Sequence, residues 1–249
     1  MISGGFGYEA MTTAAAALLF ALVFVFGRRV HPLRAFTADG RTLVSFGAGM
    51  AAAYVFVHVM PELQSARQVL VESASRHLRY EGMAIYFVAL VGFMGFYGLD
   101  HLRSRLRDSS SLDRERRAFR LHVGGFAAYV ALVGYLLVRN LEATPVSIAL
   151  FTAAMAFHFL GVDHSLSEEH GAAYDSKGRY LLAAMALFGW GVGQLVALSQ
   201  PWVALLVAFL SGAVILNSSL MELPSEKDGR FWPFLAGGLL YALILLPLG

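Results

Sequence analysis

With no cysteine among its 249 residues, this chain can bind a metal or do polar chemistry only through carboxylates, imidazoles and hydroxyls. Disulfides, thiolate metal sites and cysteine nucleophiles are excluded, and the redox compartment is left open. The densest run of donors is Asp163-His164-Ser-Leu-Ser-Glu168-Glu169-His170, with His158 just ahead of it. If a helix continues through this run, His164 and Glu168 stand at i and i+4 on one face. Imidazole with carboxylate is the ligand set that suits zinc foremost, and iron and manganese, when thiolates are absent. His58 and Glu62 form a second i, i+4 pair, and Pro61 beside them frees a backbone carbonyl one turn back for water or a cation. No His-x-x-x-His or His-Glu-x-x-His pair occurs among the eight histidines, which argues against a helix-borne zinc hydrolase and a paired-ligand haem bundle.

The elements that must position these groups are apolar to a degree no water-facing domain could sustain. The chain is 57% hydrophobic and 14% charged, with mean hydropathy +0.61, where a soluble domain carries about 25% charged residues. Runs long enough to cross about 30 Å of hydrocarbon lie at roughly 9–27, 42–61, 82–100, 119–138, 146–163, 180–198, 201–220 and 231–248. They predict an all-α integral membrane protein of eight transmembrane helices in a single domain spanning 1–249, with the first run a retained span and not a signal peptide. Alternate loops hold 15 of the 19 basic residues and the others hold 4. Basic residues stay on the cytoplasmic side, so both termini are expected outside and the polar stretch 101–118 is expected as a cytoplasmic loop that need not be ordered. The expected location is a cell (inner) membrane. No Lys falls inside a span, which removes a Schiff-base pigment, and a net charge of +2 gives no footprint for nucleic acid.

This topology sorts the candidate ligands by membrane face. His158 alone lies near the middle of a span, where ionisable groups are costly and usually functional. Asp100 and His101 close the third span, His122 opens the fourth, Asp163 and His164 close the fifth, and Glu222 closes the seventh. All are cytoplasmic ends, and Asp100, His101, His122 and Glu222 would, with His170, line an exit. Individually Asp100, His101, His122, Glu169 and Glu222 read as polar residues placed where helix ends meet water, whereas Asp163 with His164 reads as a ligand pair. His58 and Glu62 would form an outer vestibule.

Two segments repeat. Phe46-Gly-Ala-Gly49 leads to Pro61, and Phe209-Leu-Ser-Gly212 leads to Pro224, with Phe to Gly three residues apart and Phe to Pro fifteen in both. Their spans run in opposite directions, as expected of an inverted repeat relating helices 1–3 to helices 6–8.

With these features the chain resembles the ZIP (Zrt-, Irt-like protein) family of divalent metal transporters. The stretch Ser45–Glu62, closing in His58-Val-Met-Pro61-Glu62, is similar to that family's second helix, and the seventh span ends in a comparable Leu-Pro turn. The resemblance implies eight helices in a 3+2+3 arrangement, both termini outside, and metal carried at mid-membrane by the fourth and fifth helices through alternating access. This chain departs from the family there. Tyr129-Val-Ala-Leu-Val133-Gly134 replaces His-Asn-x-Pro-Glu-Gly, and His158-Phe-Leu-Gly161-Val162 keeps the histidine but loses the proline and glutamate. The expected metal ligands are then His158, Asp163, His164 and Glu168. Because His158 and Asp163 are five residues apart, about 500° of helical rotation, they can share one site only if the helix breaks at Gly161.

The function expected is a ZIP-like carrier of divalent transition metal and not an enzyme. The competing readings are a ZIP-fold membrane protein that has lost transport and serves as a metal-responsive or structural partner, and, third, an intramembrane zinc hydrolase. The bilayer, a metal ion and, as an admissible state, a homodimer complete the expected partners.

Overall fold

The computed structural model describes residues 3–30, 40–73, 81–107, 112–139, 145–218 and 229–246. Among these residues every regular element is helical: α1 Ser3–Val30, α2 Gly40–Tyr54, a π turn Val55–Val59, α3 Met60–Ser73, α4 Glu81–Arg107, α5 Leu112–Arg139, α6 Pro145–His170, a π turn Tyr174–Gly178, α7 Arg179–Leu195, α8 Gln200–Asn217 and α9 Phe231–Leu245. Five helical stretches are long and apolar enough to cross a membrane, namely Ala10–Gly27, Ser45–Ser73, Gly82–Arg105, Asp113–Arg139 and Gln200–Asn217, with a shorter apolar helix at Phe231–Ile244. On α4 the pattern of burial suits lipid. Met83, Phe87, Leu90, Met94 and Tyr97 are exposed along one face, while Gly82, Ile85, Ala89 and Gly92 are buried on the other, an arrangement that would be costly in water.

Three sequence expectations are corrected by where the helices end. The second span does not close at Pro61 but runs on through α3 to Ser73. Proline has no backbone N–H to donate and crowds the preceding turn. Here that turn is widened, with the Met60 N–H bonded to the Val55 carbonyl in the i→i+5 manner. The stretch 101–118 is helical on both sides of residues 108–111, which lie outside the described residues, because α4 continues to Arg107 and α5 starts at Leu112. Finally, α6 passes unbroken through Gly161 to His170 and carries the whole donor run 163–170 on helix.

The chain divides into two compact units. The first comprises Met1–Arg28 and Met94–Leu198, so it holds α1, the second half of α4, α5, α6 and α7. Its core is built on Phe20, Phe24 and Phe159, with both α1 phenylalanines 5.1 Å from the Phe159 ring centroid. Trp190 of α7 donates its indole N–H to Thr13 of α1 at 3.3 Å.

The second unit comprises Arg29–Phe93 and Ser199–Gly249, and two pairs of helices in it cross in backbone contact. A Cβ added to Gly237 of α9 would lie 2.9 Å from the carbonyl carbon of Phe46 on α2 and 3.1 Å from its Cα. One added to Gly92 of α4 would lie 2.9 and 3.1 Å from the same atoms of Phe209 on α8. Likewise a Cβ on Gly49 would collide with the Phe234 carbonyl and lie 2.8 Å from the Gly238 nitrogen, while one on Gly212 would collide with the Ala89 carbonyl and lie 2.8 Å from the Phe93 nitrogen. The partners are related by fixed sequence offsets: 209 − 46 and 212 − 49 are both 163, and 237 − 92, 234 − 89 and 238 − 93 are all 145. Pro224, the second proline of the repeat, lies outside the described residues.

Gly49→Ala and Gly212→Ala should therefore lose similar stability, about 1–3 kcal/mol each from overpacking. Gly47→Ala, where an added Cβ meets nothing within 4 Å, should be neutral. Thermal unfolding of the three variants in detergent checks this. A large loss at only one of the two crossings would show that they are not equivalent.

Candidate metal centre

The rotation of α5 within the first unit decides which donors meet. His122, Phe126, Tyr129 and Val133 recur at i, i+4, i+7 and i+11 and all are buried, forming one stripe of the helix. On α6 the corresponding buried stripe is Met155, Phe159, Val162 and Leu166. At the polar ends of these stripes, His122 of α5 meets Glu169 and His170 of α6.

The end of α6 is set by glycine. Gly171 has φ +50°, the left-handed conformation that closes helices, and its N–H bonds to the Ser167 carbonyl at 2.9 Å. His170 is thereby the last residue of α6, and its ring packs against His122 of α5, 5.2 Å between centroids. His122 Nδ1 lies 3.0 Å from His170 Nε2 and 3.5 Å from Glu169 Oε2. One donor atom from each of the three residues falls within 4.8 Å of the others. Metal–nitrogen bonds of 2.0–2.1 Å in a tetrahedral shell would set neighbouring donors roughly 3.3 Å apart, so small side-chain adjustments would suffice to seat an ion. Phe119 packs edge-on against His170 and Phe126 against His122, each at 5.2 Å between centroids, and these rings fix the imidazoles from behind. Arg103 of α4 reaches the same carboxylate, bonding Glu169 through Nη1 while Asp100 accepts its Nε–H at 3.0 Å.

The ligands expected from sequence are not brought into one group. His158 packs its ring against Tyr129 of α5, 5.7 Å between centroids. His164 pairs with Glu168 at 3.0 Å, the i, i+4 contact expected of a continuous helix. Asp163 turns to a third direction and is 1% exposed, accepting from the Tyr174 hydroxyl at 2.7 Å and facing Arg179 Nη2 at 3.6 Å. With α6 unbroken at Gly161, the rotation between His158 and Asp163 keeps them apart, so the shared site that required a break is not formed. The Asp163 network extends to Asp175, which takes Arg179 Nη2 at 2.8 Å and the Ser167 hydroxyl at 2.9 Å. Burial first, then the neighbouring Asp163 carboxylate, push the Tyr174 phenol upward, so it remains a neutral donor.

The remaining candidates are dispersed. His58 lies in the π turn, stacked on Tyr54 at 5.2 Å, with Glu62 half-buried in the first turn of α3. His101 is exposed and stacks on Tyr97. Asp100 reaches the cluster through Arg103. Glu222 lies outside the described residues. Sequence reasoning set Glu169 aside as a helix-end residue. Its signal was adjacency to His170 at the close of a helix, and that acquires meaning only once His122 is placed opposite.

The Asp163 network yields a stability prediction. Arg179→Met strands a carboxylate that is 1% exposed and should cost about 3–5 kcal/mol, and the double variant with Asp163→Asn should recover part of that loss. Thermal unfolding in detergent measures both. A double variant less stable than Arg179→Met would contradict the pairing.

No protein-family model matches the chain, and no curated protein matches it.

Proposed function

We propose that the chain is a ZIP-like membrane protein that binds a divalent transition metal ion, zinc foremost, through His122, Glu169 and His170 at the cytoplasmic ends of α5 and α6. The observation that carries this reading is the convergence of two imidazoles and one carboxylate with donor atoms within 4.8 Å. Three protein ligands leave a coordination position open, which suits an ion that must exchange.

Two observations support the ZIP-like architecture. Tyr129 and His158 occupy the positions matched to the two motif histidines of the family, and their rings meet edge-on between α5 and α6. The paired helix crossings with offsets of 163 and 145 are the contacts an inverted repeat would generate, relating the second span to the seventh and the third to the eighth. In this reading the helices form eight spans in a 3+2+3 arrangement with both termini outside a cell membrane.

Within that architecture the protein responds to metal instead of carrying it. Val133 and Val162 hold the positions of the family's glutamates, both buried, and the equally buried Phe159 and Tyr129 meet edge-on, 6.3 Å between centroids. An ion moving through this layer would lose its water and gain no carboxylate, at a cost far above thermal energy. Carriage is the second reading, favoured by the repeat-related crossings, because such repeats underlie alternating access.

Calorimetric titration of zinc into the purified protein, with uptake into proteoliposomes run in parallel, tests both readings. The wild type should bind zinc, and His122→Ala, His170→Ala and Glu169→Gln should each weaken binding by about tenfold or more. Uptake should be absent. Unchanged affinity in all three variants removes the site, and saturable zinc uptake by the wild type replaces the responsive reading with the carrier.

A further inference from the structure

Arg103 is an unusual neighbour for a metal ligand, because it is a permanent cation bonded to the one carboxylate of the cluster. Its side chain is 15% exposed and that of Glu169 is 11% exposed, so water screens the pair poorly. The same guanidinium also bonds Asp100, three residues earlier on α4. Arg103 thus has two carboxylate partners, and only one of them belongs to the metal cluster.

Resting on the metal-binding reading above, we propose that Arg103 sets the metal selectivity of the site by competing for Glu169. An incoming ion finds two imidazoles, His122 and His170, and a carboxylate, Glu169, already engaged by the guanidinium. Ions that bind imidazole well, such as zinc, gain enough from the two nitrogens to draw Glu169 away, leaving Arg103 on Asp100. Ions that depend on oxygen donors, such as manganese, magnesium and calcium, gain little from imidazole and must displace the guanidinium for their main ligand. The arginine therefore penalises carboxylate-seeking ions more than imidazole-seeking ones. No covalent change is involved, and the net exchange is one ion pair for another.

The consequence is a ratio, which separates this role from a general electrostatic effect. Removing any nearby positive charge should strengthen all divalent ions alike, whereas freeing Glu169 should favour manganese over zinc. Zinc and manganese affinities are measured by titration for the wild type, Arg103→Gln, Asp100→Asn and Arg105→Gln, the last an exposed arginine two residues along the same helix. Arg103→Gln should lower the zinc-to-manganese affinity ratio by about tenfold. Asp100→Asn, which removes the guanidinium's alternative partner, should raise that ratio, and it keeps the test open should Arg103→Gln not fold. Arg105→Gln should leave the ratio unchanged. If the wild type binds zinc but the ratio is the same in all variants, or shifts equally in Arg105→Gln, the selectivity role is overturned while the metal centre stands. If the wild type binds neither ion, both fall.

Discussion

A bilayer interior offers no water to satisfy backbone groups and no hydrophobic drive between apolar helices, so helices there associate by bringing backbones close. Everything else in this protein depends on that contact. In the second unit it is made by Gly49 with Phe234, Gly237 with Phe46, Gly212 with Ala89 and Gly92 with Phe209. In the first unit, α5 and α7 cross the same way, with an added Cβ on Gly189 only 2.7 Å from the Ala131 carbonyl carbon and one on Gly134 3.0 Å from the Trp190 nitrogen. Seating Ala131 and Gly134 against α7 fixes the rotation of α5. That rotation buries His122 and Tyr129 on a separate stripe and so decides which residues of α6 they meet.

The eight-residue donor run 163–170 is divided by the same geometry. Successive residues of a helix turn by about 100°, and the run projects in three directions. Asp163 points into the network of Tyr174, Arg179 and Asp175, where it links α6 to the start of α7. His164 and Glu168 pair along the surface of α6. Glu169 and His170 point to α5 and α4. Asp163 and Glu169 thus each meet an arginine, but in different chemical company. Asp163 is enclosed by a phenol and a guanidinium, whereas Glu169 has two imidazoles beside it that can share an ion.

Much of the fold was legible from residue pattern. The apolar runs located the helices, and Phe46, Gly49, Phe209 and Gly212, picked out as repeated in sequence, are residues at which helices cross. Helix ends are less legible, because a polar residue marks the membrane boundary without marking the end of the helix. Arg103, Arg105 and Arg107 extend α4, and α6 carries its polar run to His170, since hydrogen bonding along a helix continues past the last apolar side chain until something such as Gly171 ends it. Pro61 misled for a related reason, as the π turn before it absorbs the missing donor. The candidate metal centre was legible only in part. His122 and His170 stood out as polar groups at the expected exit, but Glu169 joins them through packing between α4, α5 and α6, a relation that no spacing within one helix encodes.

In the proposed reading, metal sits between the ends of α5 and α6 and not beside the mid-helix histidine. Anomalous diffraction at the zinc absorption edge from zinc-loaded crystals tests it most directly. A single strong peak within bonding distance of His122, Glu169 and His170, about 2.0–2.2 Å from each donor, is the predicted result. A peak at His158 or Asp163, with none at His122, would contradict it.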